Sequence, residues 1–378
     1  MGDSEQINNR ASAGADFLEW NLSLKADSSP WSVEQTMTQL LAYETAEGPT
    51  LSLTVAAQED ARVIHELGKR KTWTAVAALR GFQAMSMVDT QRELARLNAD
   101  RLVEQGLPEP PWTPTIGRVR IDGCWWAHDE FDETAIVLCA FSYDGADEHA
   151  ILAMIDRTLG DGLFRELTLS THPDSLRDVL RHAEKGNDGL VSEPLDHAHA
   201  RRLLQDAIST TDELTENREY KVKPVPAAYR KMRALTLARA HALSPVAAPV
   251  EPFPGSVEIE LLKRSFLVSG AVTGLPPRDA TARAVDLLVT QFVEQAGCHP
   301  LNLGPRRVLA VLGLPALTPE HIDDPDVARI LPDVAEAWIS WTATERGLSA
   351  DATERLRKAA KQACAELRST MSKGSETT

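Results

Sequence analysis

Residues 122–156 read DGCWWAHDEFDETAIVLCAFSYDGADEHAILAMID, and this stretch decides the fold class. It carries nine carboxylates (Asp122, Asp129, Glu130, Asp132, Glu133, Asp144, Asp147, Glu148 and Asp156) and no Lys or Arg. The nearly continuous apolar run TAIVLCAFSY at 134–143 predicts a strand. It is flanked by an alternating segment at 116–126 and a second apolar segment at 150–155, and 164–169 supplies a fourth strand. The links between them (129–132, Asp144-Gly145, and 160–162 with two glycines) are short and rich in turn residues. Links this short predict an antiparallel meander of four strands.

Outward from the sheet the pattern turns helical. Upstream, 32–47, 57–69, 73–85 and 88–105 predict a bundle of helices over 31–107, joined to the sheet by PEPPWTP at 108–114, where fixed φ angles and missing donors disfavour both helix and ladder. Downstream, helices at 175–184 and 195–208 are placed to cover a sheet face, giving a unit over 112–242. The proline-rich LSPVAAPVEPFPG at 243–255 reads as a linker. Residues 256–370 are expected to be all helical, with the tryptophans Trp338 and Trp341 on a core-facing stripe. Residues 1–30 read as a flexible arm and 371–378 as a flexible tail. The fold class expected is therefore α+β: N-terminal helices, a small antiparallel sheet with covering helices, and a C-terminal all-helical domain.

Composition limits the function classes. The chain has 378 residues and a net charge of −15, with 43% hydrophobic residues. That length calls for more than one core, and that balance for a folded chain. The negative charge opposes general attraction to nucleic acid. The four cysteines, Cys124, Cys139, Cys298 and Cys364, show no paired spacing, as expected of reduced thiols in the cytoplasm. No secretory leader or membrane-spanning run is legible, so no membrane association is expected.

Candidate sites are local. His128, Asp129, Asp132 and, from the next strand, His149 have the ligand chemistry of a divalent-metal site, the only cofactor the sequence raises; the plainer reading is a solvated hairpin. His149 and Glu148 point to opposite faces of a strand, so only one of them can share a face with Asp156. His197 and His199 are two apart on a helix and do not share a face. Ser170, Thr171, His172 and Asp174, like Cys298-His299, supply hydrolytic residue types in a row without the geometry of a catalytic set. Trp125 and Trp126 put one indole on each sheet face and are candidate contacts for a protein partner. Residues 218–241 hold seven Lys or Arg against the single carboxylate Glu219. Arg230 and Arg233 there are the binding candidates, as a solvated face, as an internal partner of the acidic sheet, or as a nucleic-acid contact. Residues 256–378 carry 14 basic and 16 acidic side chains, which argues against a DNA-facing domain.

The run WTPTIGRVRIDGCWWAHDEFDETAIVLCAFSYDGADEHAILAMIDRTLGD at 112–161 resembles a module of uncharacterised actinobacterial proteins of unknown function. HPLNLGPRRVLAVLGLP at 299–315 and LPDVAEAWISWTATERGL at 331–348 are similar to the helical end of the same proteins. The resemblance implies no activity and no catalytic residue. The expected function is a non-catalytic cytoplasmic protein-binding or assembly protein, docking through the acidic sheet or the C-terminal helices onto a protein partner or itself. The alternatives are a metal-dependent hydrolase centred on His128, Asp129 and Asp132, and nucleic-acid association through 218–239.

Overall fold

In the computed structural model, residues 24–42, 53–158, 160, 162–186, 189–216, 227–244, 255–276, 278–294, 297 and 299–375 are described. The start of the expected arm, most of the linker, Cys298 and the cations Arg218, Lys221 and Lys223 lie outside them. The α+β expectation holds. Four strands, β1 (Arg120–Asp129), β2 (Thr134–Tyr143), β3 (Ala146–Asp156) and β4 (Leu163–Ser170), form an antiparallel meander. A fifth strand, β5 (Leu190–Pro194), adds to the outer edge of β1, so the order is β4-β3-β2-β1-β5.

Two departures from the sequence reading concern β1 and β5. β1 starts at Arg120 rather than 116, because 111–117 turn repeatedly and Gly117 sits at φ +74°. Strand β5 has only five residues, of which Leu190 alone is buried, so its pattern is too short to announce itself. Its register is supplied by β1 (Trp125 opposite Pro194, Asp129 opposite Leu190).

Strand β2 sits at the centre of the sheet, and its burial follows from alternation. Ala135, Val137, Cys139 and Phe141 face one core; Ile136, Leu138 and Ala140 face another. Asp144 and Gly145, both at positive φ (48° and 83°), make the tight two-residue link to β3. Helices cover both faces. Helix α5 (Pro173–Gly186) seals one with Leu176 and Leu180. Helices α6 (His197–Glu216) and α7 (Ala227–Ala242) seal the other with Leu203, Leu204, Tyr229 and Ala240.

The two ends of the sheet carry the remaining helices. At the end where β2 meets β3 lie α1 (Pro30–Leu40), α2 (Leu53–Lys69), α3 (Trp73–Met85) and α4 (Asp89–Glu104), whose shared core takes in Tyr143 of β2 and Ala234 and Leu235 of α7. Helix α7 thus belongs to two cores. At the opposite end, α8 (Ser256–Val268), α9 (Arg278–Glu294), α10 (Pro305–Leu312), α11 (Pro325–Glu345) and α12 (Ala350–Ser375) build a helical unit around Trp338 and Trp341. Helix α12 continues past Arg368, so part of the expected tail is helix. One residue of the sheet region, Phe131 in the β1–β2 turn, is buried in this C-terminal core.

Candidate functional site

The acidic β1–β2 turn is the feature around which the C-terminal helices are placed. Asp129 Oδ1 accepts from the amides of Phe131 (3.0 Å) and Glu133 (2.9 Å), an arrangement that shapes the turn and leaves Asp132 at φ +57°. Glu133, 2% exposed, projects onto the start of α10 and accepts from the backbone amides of Arg306 (3.0 Å) and Arg307 (2.6 Å). Helix α10 begins at Gly304-Pro305, and neither residue caps it with a side chain. The cap is therefore supplied from the sheet, where the helix dipole also favours a carboxylate. Burial holds the Glu133 carboxyl above its ordinary range, opposed by those two amides and both guanidinium groups.

Gly304 explains the closeness of this approach. A Cβ there would lie 2.4 Å from Glu133 Cδ and 2.7 Å from Phe131 Cβ. Buried Arg307 donates Nε to the carbonyl of Thr158 (3.0 Å) and its two terminal nitrogens to the carbonyls of Asn302 and Arg157 (2.5 Å each). Arg306 donates to the Glu133 carbonyl (2.5 Å) and to Thr134 Oγ1 (2.8 Å).

Glu130 holds the start of α12 one step removed, through Ser349, whose hydroxyl accepts from the Ala352 amide (3.2 Å). Its carboxylate accepts from the amide (2.5 Å) and the hydroxyl (2.7 Å) of Ser349, the residue just before α12. Burial raises its pKa, but the Ser349 bonds, Arg355 and Arg346 outweigh that and leave it below the usual range. Arg346 donates to the Glu130 carbonyl (2.9 Å), and the Arg355 guanidinium lies over the Phe131 ring at 5.2 Å. The acidic segment thus has its basic partner within the same chain.

The proposed metal ligands are not brought together. Asp129 is engaged with turn amides, and Asp132 pairs with Arg157. His128 stacks on Trp126 (4.0 Å between centroids) with Nε2 3.4 Å from Glu193 Oε1. His149 lies seven residues along β3 from Asp156, which pairs with Thr134 beside the turn, roughly 23 Å away at the rise of a strand. Among the described residues no group of three or more His, Cys, Asp or Glu is placed to hold a metal ion.

The indoles do divide between the two faces, and both are occupied from within. Trp125 packs toward α5 with the Arg177 guanidinium 4.1 Å over its ring. Trp126 faces α6, donates Nε1 to Glu193 (3.1 Å), and has His199 edge-on at 5.0 Å. Burial, then the Arg157 charge, lowers the His199 pKa. His172, in the serine-threonine-histidine run, serves with Ser170 and Ser175 in the turn before α5.

The basic segment turns inward as well. Arg233 pairs with Asp212, which also accepts from the Tyr229 hydroxyl (2.6 Å). Arg239, 1% exposed, sits between the two halves of the fold: it donates to Glu34 Oε2 of α1 (2.5 Å) and, through Nε, to His149 Nε2 of β3 (2.8 Å). Glu34, fully buried, also accepts from the Gly117 amide (2.8 Å). Because His149 Nε2 accepts, its Nδ1 carries the proton and donates to the Asp147 carbonyl (2.8 Å). Burial, reinforced by Arg239, pushes the His149 pKa down to about 4. Its ring stacks on Trp31 at 4.0 Å. Arg233 and Arg239 therefore do not present a stripe to a polyanion. The Nε of Arg230 is buried with no hydrogen-bond partner among the described residues.

Among the described residues, the most exposed apolar stripe is on α8. Its inner side places Phe266, fully buried, edge-on to Trp338 (5.1 Å) and Trp341 (5.5 Å), with Ile259, Leu262 and Leu267 beside it. Its outer side shows Val257, Leu261 and Val268 at 73%, 59% and 74% exposure. At 100° per residue these three fall within one narrow arc. A helix apolar on two sides is ordinarily buried on both. The sequence spacing carries this signal, although the stripe becomes evident only once Phe266 fixes which side faces inward. No helix among the described residues is long and apolar enough to cross a membrane. No protein-family model matches the chain, and neither a curated protein nor a solved structure matches it.

Proposed function

We propose that this chain is a non-catalytic assembly protein of the cytoplasm that associates with a second copy of itself through the outer face of α8. The observation that carries the reading is the exposed Val257, Leu261 and Val268 stripe. Its spacing, with Arg264 completing it, is four, three and four residues, the alternation of a two-helix seam. Such a seam is self-complementary about a twofold axis between Leu261 and Arg264: Val257 meets Val268 of the second copy, and Arg264 lies across Leu261 beside the second copy's Glu260. The acidic turn, the indoles, Arg233 and Arg239 are engaged internally, and among the described residues the α8 stripe is more exposed than Leu94 and Leu97 of α4, the other exposed apolar pair on one helix. Buried, unpaired thiols at Cys124, Cys139 and Cys364 fit a reducing compartment.

Sedimentation velocity across the micromolar range tests this. The wild-type mass rises with concentration, while Leu261→Glu, altered at an exposed position, keeps its circular dichroism and stays monomeric. A wild type that remains monomeric throughout, or a variant that associates equally, overturns the reading.

A further inference from the structure

A cleft of about 440 Å³ opens where the N-terminal helices meet α6 and α7. Its volume falls within the range of small-molecule sites. One side is apolar: Ala234, Leu237 and Ala238 follow one another along a single face of α7, with His241 a turn further on. The other side is cationic, because Arg92 of α4 and Arg201 of α6 line the same cleft as His241. Asp89 is the one carboxylate in the lining, and its side chain is 89% exposed.

The arginines are held by groups that leave donors free for a ligand. Arg92 donates to the Ser86 carbonyl (2.6 Å) at the end of α3 and pairs with Asp89. Among the described residues Arg201 makes long bonds, Nε to Gln205 and a terminal nitrogen to the Leu243 carbonyl, both 3.3 Å. His241 has no hydrogen-bond partner among the described residues. Burial, then Arg92 and Arg201, lowers its pKa, so the three groups share one field. Burial also lowers the Arg92 pKa. The two guanidiniums, and His241 whenever it is protonated, repel one another across the cleft, and an anion between them relieves that repulsion. This occurs in a chain whose net charge is −15, where a cationic cluster offset in its lining by one exposed carboxylate, Asp89, stands out.

We infer that this cleft binds a small organic anion, its charged head between Arg92, Arg201 and His241 and its apolar body along Leu237, Ala234 and Ala238. The two walls dictate the class: a bare inorganic anion would leave the α7 stripe wet, and an uncharged apolar molecule would leave the cations uncompensated. Because the bound anion favours charged His241, binding takes up a proton and tightens as pH falls from mildly alkaline to mildly acidic.

Isothermal titration of the full chain with octanoate, octyltrimethylammonium and inorganic sulfate at constant ionic strength tests the proposal. Octanoate should bind saturably at a single site and the cation should not. Octanoate affinity should fall at least ~10-fold, a change that easily exceeds measurement error, in Arg92→Gln/Arg201→Gln and in His241→Glu. His241 is exposed, so its variant tests the site even if the double arginine variant unfolds. Absence of saturable octanoate binding, equal binding of octyltrimethylammonium, or full affinity in a folded His241→Glu variant overturns the proposal. Sulfate binding as tight as octanoate overturns the part assigned to the α7 stripe.

Discussion

Replacing His149 with glutamine should remove a defined part of the pH dependence of stability. His149 is fully buried, with Arg239 of α7 donating to Nε2, Glu34 of α1 bound to the same guanidinium, Asp147 of β3 receiving Nδ1–H, and the Tyr143 hydroxyl of β2 3.4 Å from Arg239. Protonation would set a second cation against Arg239, and the ring has no room to move because Trp31 stacks on it at 4.0 Å. The folded pKa is about 4 against an ordinary 6.5. The unfolded chain therefore accepts a proton that the native state refuses. The sign follows: stability is full above the unfolded value, declines as pH falls through it, and reaches its floor near the folded value. The span corresponds to about 3 kcal/mol in all, and to about 2 kcal/mol by roughly pH 5.

Glutamine can accept from Arg239 and donate to the Asp147 carbonyl without titrating. Asp60 and Glu133, whose burial raises their carboxyl pKa and so favours folding at acid pH, remain in both proteins and cancel in the difference. Urea unfolding at neutral pH and near pH 5 should thus show wild type losing about 2 kcal/mol more than His149→Gln on acidification. Equal losses in the two proteins would refute the assignment of a neutral His149 held by Arg239.

Other outcomes follow from the same contacts. Arg239→Met leaves Glu34 buried with the Gly117 amide and the Tyr143 hydroxyl but no cation, and should cost about 3–5 kcal/mol in urea unfolding, with Arg230→Met far milder. Gly304→Ala forces a methyl onto Glu133 and Phe131 and should cost about 1–3 kcal/mol, with part of that cost absent in a Glu133→Ala background and the part due to Phe131 Cβ kept, as read by a double-mutant cycle. Gly145→Val, at φ +83°, should destabilise the β2–β3 hairpin by about 1–2 kcal/mol in thermal unfolding. Trp126→Phe keeps the stacking surface for His128 but drops the bond to Glu193, so near-neutral stability should fall by about 1 kcal/mol in urea unfolding.

How much of this was readable in the sequence depends on the range of each interaction. The β2 strand, the Asp144-Gly145 turn, the opposite facing of Trp125 and Trp126, and the core role of Trp338 and Trp341 are set by local pattern, and each was legible. The edge strand β5 was not, because a five-residue segment with one buried side chain gains its conformation from the free edge of β1. The acidic turn was conspicuous, yet its partners were hidden: Glu133 meets the amides of Arg306 and Arg307, 173 and 174 residues away, and backbone amides leave no mark in a sequence. The same holds for Arg239 and Glu34, 205 residues apart, whose mutual burial turns an apparent surface cation into an internal one. The cleft joins Arg92, Arg201 and His241 from three helices, which no linear motif connects.

The acidic β1–β2 turn is an internal keystone that caps α10, holds Ser349 at the start of α12, and so sets the C-terminal helices on the sheet. Backbone hydrogen exchange at Arg306, Arg307 and Ser349, compared between wild type and Glu130→Ala/Glu133→Ala, measures it directly, because those amides donate to the two carboxylates. Protection is expected at all three in the wild type and its loss in the variant, with the buried centre of α11 around Trp338 still protected. Equal exchange at these amides in both proteins would contradict it.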